Sequence, residues 1–457
     1  MQSYAAMVEK QRNFFQTQTP RDLSYRNNAL HRLKHVIQDN ESKILEALRQ
    51  DLGKNQFEAF TSEVGIVLGE IRNAQKHLKR YALPQRRPTP LYLWPSKSRI
   101  IYEPLGVCLI ISPWNYPFQL TMAPLIGAVA AGNCAVLKPS ERSLHTSKLI
   151  YELIDNTFPP EHVTTILADK TEAAGLLQEP FDSFFFTGSK GVGQIIYDAA
   201  AKRMVPVTLE LGGKNPCIVE PDADLDITAQ RIAWGKFYNA GQTCVAPDYL
   251  LVHKDVKEPL VEKLIASVRH LFGDDPRESA AYGRLIDTAH MRHLERLLSG
   301  LTIRLGGTFS TEERYMSPTI ATEVTMDDKV MEDEIFGPIL PLLSYRTIEE
   351  AQACIRSIPK SLALYLFTRS KRTQQHIFES CSFGGGCIND TLVHFSSPHL
   401  PVGGIGQSGI GRYRGTESFR AFSNMKTIVH TPFFPNMTLR YPPFSEWKMS
   451  LVKRFMR

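Results

Sequence analysis

The feature that most constrains the fold is an alternation of short apolar runs with helical segments after Gly106. Runs rich in β-branched and other apolar residues occupy 107–111, 134–137, 163–167 and 183–186, and helical segments or turns separate them. Strands that alternate with helices form βαβ units, in which the helix returns the chain so that the strands lie parallel. The alternation therefore predicts an α/β fold built on a parallel-rich sheet.

A second alternation of the same kind runs from Pro216 to about Ser423. Its clearest strand-like runs lie at 249–253, 339–345 and 362–367. The chain has 457 residues, which is more than one hydrophobic core normally organises. We therefore predict two α/β domains, each with its own sheet.

The chain before Gly106 follows a different pattern. Apolar residues recur at helical spacing between 23 and 82, as at Leu30, Leu33 and Ile37, which predicts a helical opening segment. Prolines then interrupt this spacing, and residues 92–106 have the pattern of strands joined by a turn. We expect this segment to project as a β-hairpin.

Composition and charge narrow the class of protein. Hydrophobic residues make up 43% of the chain and charged residues 22%, which excludes a disordered or fibrous protein. Residues 432–457 contribute most of the net charge of +6, so the body of the chain is too weakly basic for a nucleic-acid-binding protein. The most apolar run, 120–134, is interrupted by Thr121, Pro124 and Asn133, which predicts buried core and not a membrane span.

The N-terminal residues and the cysteines indicate a reducing compartment. Glu9 and Lys10 stand where a secretory signal would be apolar. The seven cysteines are an odd number and show no metal-ligand spacing. We expect a cytoplasmic protein without structural disulfides or bound metal, in which a cysteine with a special role would be catalytic.

A glycine-rich turn at 186–193 follows one strand-like run and precedes a helical segment. Glycines let a phosphate approach the backbone, and a helix N-terminus supplies free N–H groups and the positive end of the helix dipole. Gly188, Ser189 and Val192 are therefore candidates for binding a dinucleotide. The spacing is not the usual G-x-G-x-x-G, and a glycine turn between strand and helix is often only a turn.

A lysine and a glutamate follow an earlier strand-like run in the sequence K-P-S-E. From this position Lys138 and Glu141 could both reach the hydroxyls of a ribose. The alternative is a solvated helix start, because Ser140 is a good N-cap residue. The pair by itself does not decide between the two interpretations.

Glu210 and Cys244 are the candidates for covalent chemistry. Glu210 lies in L-E-L-G-G-K-N-P, and Cys244 ends the sequence G-Q-T-C. A thiol with a pKa of about 8.5 is mostly protonated at neutral pH, so a nucleophilic cysteine needs a nearby base, helix dipole or cation. Taken singly, a cysteine is more often a buried core residue, and only the surrounding motifs overturn that interpretation.

Six motifs in a fixed order resemble those of the aldehyde dehydrogenase superfamily. The sequence around Cys244 and the glycine-rich stretch 401–415 are similar to the class 3 branch, and we expect that stretch to form a packed turn. The six motifs are S-P-W-N-Y-P at 112–117, K-P-S-E at 138–141, F-T-G-S-x-x-V-G at 186–193, L-E-L-G-G-K-N-P at 209–216, G-Q-T-C at 241–244 and E-I-F-G-P at 334–338.

The resemblance implies a domain organisation. Residues 1–84 and 107–211 would form a cofactor-binding domain, and 212–421 a catalytic domain. Residues 85–106 and 422–457 would supply a small bridging and oligomerisation element and the C-terminal tail. Two copies of the chain are then expected to pair through the hairpin as a homodimer.

The resemblance also implies a role for each matched residue. Cys244 would be the nucleophile, Glu210 the general base and Asn115 the side-chain half of an oxyanion hole. Lys138 and Glu141 would bind the adenosine ribose of the cofactor. The remaining cofactor contacts would come from Gly188, Ser189, Val192, Glu334 and Phe336.

The implied activity is oxidation of an aldehyde to a carboxylic acid through a thioester on Cys244. NAD is the expected cofactor, with NADP also accepted. Class 3 relatives favour medium or long aliphatic and aromatic aldehydes, so the same substrate class is expected here. The alternative is a dehydrogenase scaffold that serves as a binding or structural protein, and the presence of the complete catalytic set argues against it.

The C-terminal tail has the pattern of a basic amphipathic helix. Such a helix usually packs on protein, here on a partner subunit or at the edge of the substrate funnel. Reversible contact with an anionic membrane surface is the alternative. The apolar positions are Trp447, Leu451 and Phe455, and the basic ones are Lys448, Lys453, Arg454 and Arg457.

Overall fold

The computed structural model describes residues 3–456. Arg457 and the side chain of Phe455, which the sequence assigns to the tail helix, lie outside the described residues. The described strands are β1 Gln85–Arg87, β2 Lys97–Pro104, β3 Val107–Ile111, β4 Cys134–Lys138, β5 Val163–Thr165, β6 Ser183–Gly188, β7 Val207–Leu211, β8 Pro216–Val219, β9 Tyr249–His253, β10 Thr302–Leu305, β11 Phe309–Ser310, β12 Tyr315–Met316, β13 Thr319–Thr322, β14 Ile339–Tyr345, β15 Ala363–Phe367, β16 Gly385–Ile388, β17 Gly409–Ile410 and β18 Ser423–His430.

Helices separate most of these strands, as the alternation in the sequence predicts. The α-helices are α1 Tyr4–Gln16, α2 Leu23–Asp39, α3 Glu41–Leu52, α4 Gln56–Ala59, α5 Gly65–Ala82, α6 Pro117–Ala131, α7 Leu144–Thr157, α8 Lys170–Leu176, α9 Lys190–Ala201, α10 Leu225–Phe237, α11 Lys257–Phe272, α12 Thr288–Leu298, α13 Lys329–Glu332, α14 Ile348–Ser357, α15 Lys371–Ser380, α16 Thr416–Ala421 and α17 Glu446–Met456.

The first sheet has six strands in the order β17-β7-β6-β3-β4-β5. Strands β3 to β7 pair in parallel, and β17 adds to the edge in antiparallel register, with Gly409 opposite Glu210. Strands β4 and β6 are buried along almost their whole length, since helices cover both faces of the sheet. This double cover explains why these strands appear in the sequence as uninterrupted apolar runs.

The second sheet has seven strands in the order β10-β13-β14-β9-β8-β15-β16. All of its pairs are parallel except that of β10 with β13. One hydrophobic cluster surrounds this sheet, while two others lie on the faces of the first sheet. The prediction of an α/β fold with two parallel-rich sheets is confirmed.

The small antiparallel sheet differs in detail from the expected hairpin. Its strand order is β1-β2-β18. Strands were expected throughout 92–106, but residues 97–104 alone form one there, and Leu91–Leu93 form a short 3₁₀ turn. The pairing strands come from 85–87 and from 423–430, because antiparallel partners need only be close in space and not in sequence.

The opening segment is helical, as its spacing predicts. Helices α2 and α5 bury one face each, and the leucines at 30 and 33 are fully buried. Helix α1 was not predicted, and it packs on the first sheet, where the Gln11 side chain donates to the backbone oxygen of Ala135 at 3.0 Å. Few residues of α1 are buried, so its sequence lacks the regular apolar spacing that would predict a helix.

The apolar run near residue 120 forms helix α6, all of whose residues are buried between other elements. This confirms the prediction that the run belongs to the core. Among residues 3–456, no helix is both long enough and apolar enough to cross a bilayer.

Candidate active site

Most of the predicted site residues lie at the carboxyl ends of the parallel strands of the first sheet. Asn115 follows β3, Lys138 ends β4 and Glu210 lies near the end of β7. On β6, the neighbour of β7, Thr187 stands opposite Glu210. Ligands of open α/β sheets bind at this edge, because the loops there are free to carry functional side chains.

Cys244 lies in the loop between α10 and β9, in a backbone of unusual conformation. Asn239 and Ala240 both have left-handed φ values, 53° and 51°, and Gly241 has φ 75°. A Cβ at Gly241 would overlap the backbone of Gly337, so only glycine fits between the two segments. The strained turn thus brings Cys244 against the E-I-F-G-P segment.

Gln242 fixes the shape of this loop from within the core. Its Nε2 donates to the backbone oxygens of Asn239 at 3.0 Å and Arg284 at 2.9 Å. Its Oε1 accepts from the backbone nitrogen of Ile286 at 2.9 Å. With two of these contacts buried and the one to Arg284 partly buried, Gln242 holds the residues before Cys244 in place. The motif G-Q-T-C contains Gln242 but does not indicate this role.

Asn215 holds the residues on the other side of the cysteine. Its Nδ2 donates to the backbone oxygens of Cys244 at 2.8 Å and Ala246 at 3.0 Å. Its Oδ1 accepts from the backbone nitrogen of Ala363 on β15 at 2.8 Å. The asparagine of L-E-L-G-G-K-N-P is therefore a support of the Cys244 loop, tied to the second sheet.

Asn115 lies against the Cys244 loop, as its predicted role requires. Its Nδ2 donates one hydrogen to the backbone oxygen of Gln242 at 3.0 Å, and the second amide hydrogen has no acceptor within residues 3–456. Its backbone oxygen accepts from Asn239 Nδ2 at 3.0 Å and from Lys54 Nζ at 2.9 Å. The side chain is 2% exposed, so it is held rigidly.

A buried ion pair between Lys54 and Glu63 supports this loop from below. The Lys54 Nζ and Glu63 Oε1 atoms are 2.5 Å apart, and both side chains are fully buried. Glu63 Oε2 accepts from the backbone nitrogens of Phe118 at 2.9 Å and Gln119 at 3.1 Å, in the first turn of α6. Neither residue is predicted from the sequence, since neither lies in a motif and they meet Asn115 only in the folded chain.

Glu210 is buried without a hydrogen-bonding partner for its carboxylate. Neither carboxylate oxygen has a partner among the described residues. Burial raises the pKa of Glu210 to about 8, although the positive charges of Arg412 and Arg414 act to lower it. A carboxylate with this pKa can exchange a proton near neutral pH.

The Cys244 thiol is also held in its protonated form. Burial, followed by the negative charges of Glu334 and Glu210, raises the pKa of Cys244 to about 12. Arg414 acts in the opposite direction. In this arrangement the thiol needs a proton acceptor before it can react as a nucleophile.

The segment that contains Glu334 and Phe336 is anchored by Lys214 and Asp248. Lys214 Nζ lies 2.7 Å from Asp248 Oδ2 and also donates to the backbone oxygen of Asp333 at 2.9 Å. A Cβ at Gly212 would overlap the carboxylate of Glu334, so the glycine allows this close approach. Burial raises the pKa of Glu334 to about 8.

The remaining predicted cofactor residues fit a dinucleotide. Lys138 Nζ and Glu141 Oε2 form an ion pair at 2.5 Å, with the lysine 5% exposed. Ser189 makes no side-chain cap at the start of α9, so the first N–H groups of that helix remain available to a phosphate. Val192 is 42% exposed in the first turn of the same helix. Within the described chain, no cluster of three or more His, Cys, Asp or Glu side chains could hold a metal.

A cavity of about 250 Å³ opens onto Cys244. Thr243 and Tyr116 beside it are joined by a hydrogen bond of 2.6 Å between their hydroxyl oxygens. Arg414, a residue of the glycine-rich stretch expected to be only a packed turn, also lines the cavity. The rest of the wall is mainly apolar, with Ile66, Leu120, Trp234, Tyr238, Val393 and Phe395 among its residues.

Comparisons with known proteins agree with this geometry. The model of the aldehyde dehydrogenase family matches residues 2–428. A 4,4'-diaponeurosporen-aldehyde dehydrogenase of Staphylococcus aureus is 46% identical over 97% of each chain. The aldehyde dehydrogenase family 3 member A2 of Mus musculus is 40% identical over 98% of this chain and 93% of that protein.

A solved structure, titled as the substrate-bound state of Staphylococcus aureus AldH, aligns with this chain over the full length of both chains. Its TM-score is 0.97 at 44% sequence identity. The fold and the six motifs have one common explanation: the chain belongs to the aldehyde dehydrogenase family, whose members oxidise aldehydes to acids with NAD or NADP.

Proposed function

We propose that this enzyme oxidises medium- or long-chain aliphatic or aromatic aldehydes through a covalent thioester on Cys244. The observation that carries the proposal is the mainly apolar cavity that ends at the Cys244 thiol. Binding an apolar substrate against apolar walls is favourable, because it removes apolar surface from water. A polar substrate would lose hydrogen bonds to water that these walls cannot replace. The Staphylococcus aureus relative, named for 4,4'-diaponeurosporen-aldehyde, supports a large aldehyde.

In the first step Cys244 loses its proton and its sulfur bonds to the aldehyde carbon. The thiol proton passes to solvent in the cavity that Cys244 lines, so that Glu210 stays free to act as the base of the last step. The carbonyl oxygen becomes an oxyanion. The unpaired amide hydrogen of Asn115 and the backbone N–H of Cys244 are its proposed donors, and both lie on segments that are already fixed in place.

The cofactor, when bound, accepts the hydride that leaves the substrate carbon. We propose that Lys138 and Glu141 hold its adenosine ribose and that Glu334 and Phe336 contact its nicotinamide end. Gly188, Ser189 and Val192 would line the intervening phosphates at the start of α9. The ion pair of Lys138 with Glu141 and the uncapped α9 support this arrangement.

In the last step water attacks the thioester carbon. Glu210 takes a proton from the water, the C–S bond breaks, and the proton passes from Glu210 to the departing sulfur, which leaves a carboxylic acid and the restored Cys244 thiol. The unpaired carboxylate oxygens of Glu210 support this role, because a base needs a free oxygen. No observation on the described residues favours the alternative of a catalytically silent scaffold.

A substrate panel tests the proposed function. Aldehydes from three to sixteen carbons and benzaldehyde would be assayed with both NAD and NADP. We expect kcat/KM to rise with chain length up to medium or long chains, and Trp234→Ala at the cavity wall to reduce that rise. A constant kcat/KM across the series would contradict the proposed substrate class.

We also propose that the enzyme is a cytoplasmic homodimer that pairs through the sheet β1-β2-β18. Strand β18 lies at the edge of this sheet, and Met425 and Val429 on it are more than half exposed. An open edge strand can pair with another chain. A rat relative is named dimeric, which supports the same assembly.

For the tail helix α17 we propose the two predicted alternatives, packing on protein or contact with an anionic membrane surface. Trp447 is 62% exposed, so this chain alone does not cover it, and the helix contacts the turn Leu91–Leu93. Trp94, beside that turn, is 55% exposed. Either a partner subunit or an anionic membrane surface could cover these aromatic side chains.

A further inference from the structure

The cavity that opens onto Cys244 is called the aldehyde cavity below. A second cavity, of about 340 Å³, lies beside it and has no part in the proposed mechanism. It is formed by α5, the segment 398–401 and the chain around the start of α16. Its wall is mainly polar and includes His77, Arg80, His399, Arg414, Glu417 and Arg420. We call it the basic cavity.

One positive charge of the basic cavity, that of Arg80, is not balanced by an acidic side chain among the described residues. Arg420 pairs with Glu417 at 2.7 Å, which accounts for the single acidic residue of the wall. Arg80 has no ion pair within residues 3–456. Burial, followed by the charges of Lys76, Arg80 and His399, lowers the pKa of His77. The three arginines of the wall therefore exceed the carboxylates that pair with them by one positive charge.

Arg414 is the buried member of this group. Its side chain is 3% exposed, and its Nε atom has no hydrogen-bond partner among the described residues. Its guanidinium lies 3.5 Å from the carboxylate of Glu70, longer than a good charge-assisted hydrogen bond. Because its pairing with Glu70 is loose, the guanidinium of Arg414 can still donate to an anion in the cavity that it lines.

We propose that the basic cavity binds a phosphate group. Guanidinium groups suit phosphate because their planar N–H donors match its oxygens, and a mainly polar cavity of this size excludes an apolar ligand. The phosphate can belong to a soluble metabolite or to a lipid headgroup. Arg414 also lines the aldehyde cavity, so the two cavities share one side chain.

Titration with inorganic phosphate at constant ionic strength, followed by calorimetry, tests the proposal. Arg80→Gln removes a charge from the wall, and Lys79→Gln removes one from the adjacent position of the same helix turn, outside the wall. We expect saturable binding to the wild type, about tenfold weaker in Arg80→Gln and within about twofold of wild type in Lys79→Gln. Aldehyde oxidation without phosphate serves as the check that both variants fold.

A second arm distinguishes the source of the phosphate. Vesicles of phosphatidylcholine with and without phosphatidic acid are sedimented with each variant. Retention that depends on phosphatidic acid and Arg80, and that free phosphate displaces, identifies a lipid headgroup. Binding of free phosphate without such retention identifies a soluble ligand. Absence of saturable phosphate binding, or an equal loss in the two variants, overturns the proposal.

Discussion

Cys244 and Glu210 are two acids that hold their protons more tightly than they would in water. Burial is the largest cause of both pKa shifts, and the negative charges of Glu334 and Glu210 further oppose the ionisation of Cys244. Arg414 lowers both pKa values and so favours the charged forms. At the scale of residues, the chemistry of the site thus depends on its low exposure as much as on the identity of its groups.

Cys244→Ala removes the proposed nucleophile and is expected to abolish aldehyde oxidation. Loss of a covalent nucleophile typically lowers kcat by about 10⁶-fold, because no other group can take its place. Steady-state kinetics measures the loss, and fluorescence titration with NAD checks that cofactor binding is intact. Retention of more than about a hundredth of the wild-type kcat would contradict the role of Cys244.

Glu210→Gln is expected to slow the hydrolysis of the thioester. A first-turnover burst of reduced cofactor should remain, followed by a stalled steady state, and rapid-mixing absorbance measures both phases. In the wild type, hydrolysis should speed up as the pH rises through about 8, because Glu210 acts in its deprotonated form. If the burst also disappears, Glu210 acts earlier, in removing the proton of the Cys244 thiol.

Glu141→Gln tests the adenosine end of the cofactor site. Glu141 offers an acceptor to a ribose 2′-hydroxyl and would repel a 2′-phosphate, whereas Lys138 would attract that phosphate. We expect wild-type NAD preference with measurable NADP use. The NADP to NAD ratio of kcat/KM should rise about tenfold in the variant, equivalent to about 1.4 kcal/mol. An unchanged ratio would mean that Glu141 lies away from the ribose.

At the scale of elements, the loop before α6 is fixed by groups that the chain supplies from a distance. Lys54 and Glu63 meet in the core and bind both the backbone of Asn115 and the first turn of α6. Glu63 accepts from two backbone N–H groups there, which stabilises the helix N-terminus. Asn115, the proposed oxyanion donor, is thereby coupled to an ion pair outside the site.

Lys54→Met is expected to lower the free energy of unfolding by about 3–5 kcal/mol, because it leaves Glu63 buried without its cation. Urea unfolding measures this loss, and kcat should fall with it as Asn115 loses its support. Arg277→Met is the matched control. It breaks an exposed ion pair with Glu313 at 2.5 Å and should cost less than about 1 kcal/mol. Equal losses in the two variants would refute the supporting role of the buried pair.

At the scale of the whole molecule, two parallel-rich sheets face one reaction site. The first sheet supplies Asn115 and Glu210, and the loop of Cys244 is tied by Asn215 to the second. The proposed division into cofactor-binding and catalytic domains stays a prediction, and it departs from these sheets at β17, which lies within 212–421 but joins the first sheet. The small sheet and α17 lie at the periphery, where contacts with a second copy or a membrane would form.

Deletion of residues 445–457 tests the tail. Three properties of the deletion variant are measured: vesicle binding by sedimentation with anionic vesicles, oligomeric state by light scattering, and substrate preference by the chain-length series. Lost vesicle binding with normal activity and dimerisation supports a membrane contact, since basic and aromatic residues bind such surfaces. Altered oligomeric state or chain-length preference supports packing on protein.

A charge-only variant, Lys453→Gln with Arg454→Gln, serves as the control for the deletion. It keeps Trp447 and the apolar positions of α17, so it should weaken vesicle binding alone and make no difference to packing. If neither the deletion nor this variant changes any of the three measurements, both proposals for the tail are wrong.

The sequence by itself determined the α/β class, the two sheets and the candidates Cys244, Glu210 and Asn115. Periodicity and motifs are local, so they can be read from neighbouring residues. Only the tertiary structure decided that β18 joins β2, that Lys54 and Glu63 support Asn115, and that Arg414 borders two cavities. Each of these contacts joins residues that are far apart in the chain. A buried polar group is stable only with a hydrogen-bonding partner, and the folded core decides which groups come within hydrogen-bonding distance of one another.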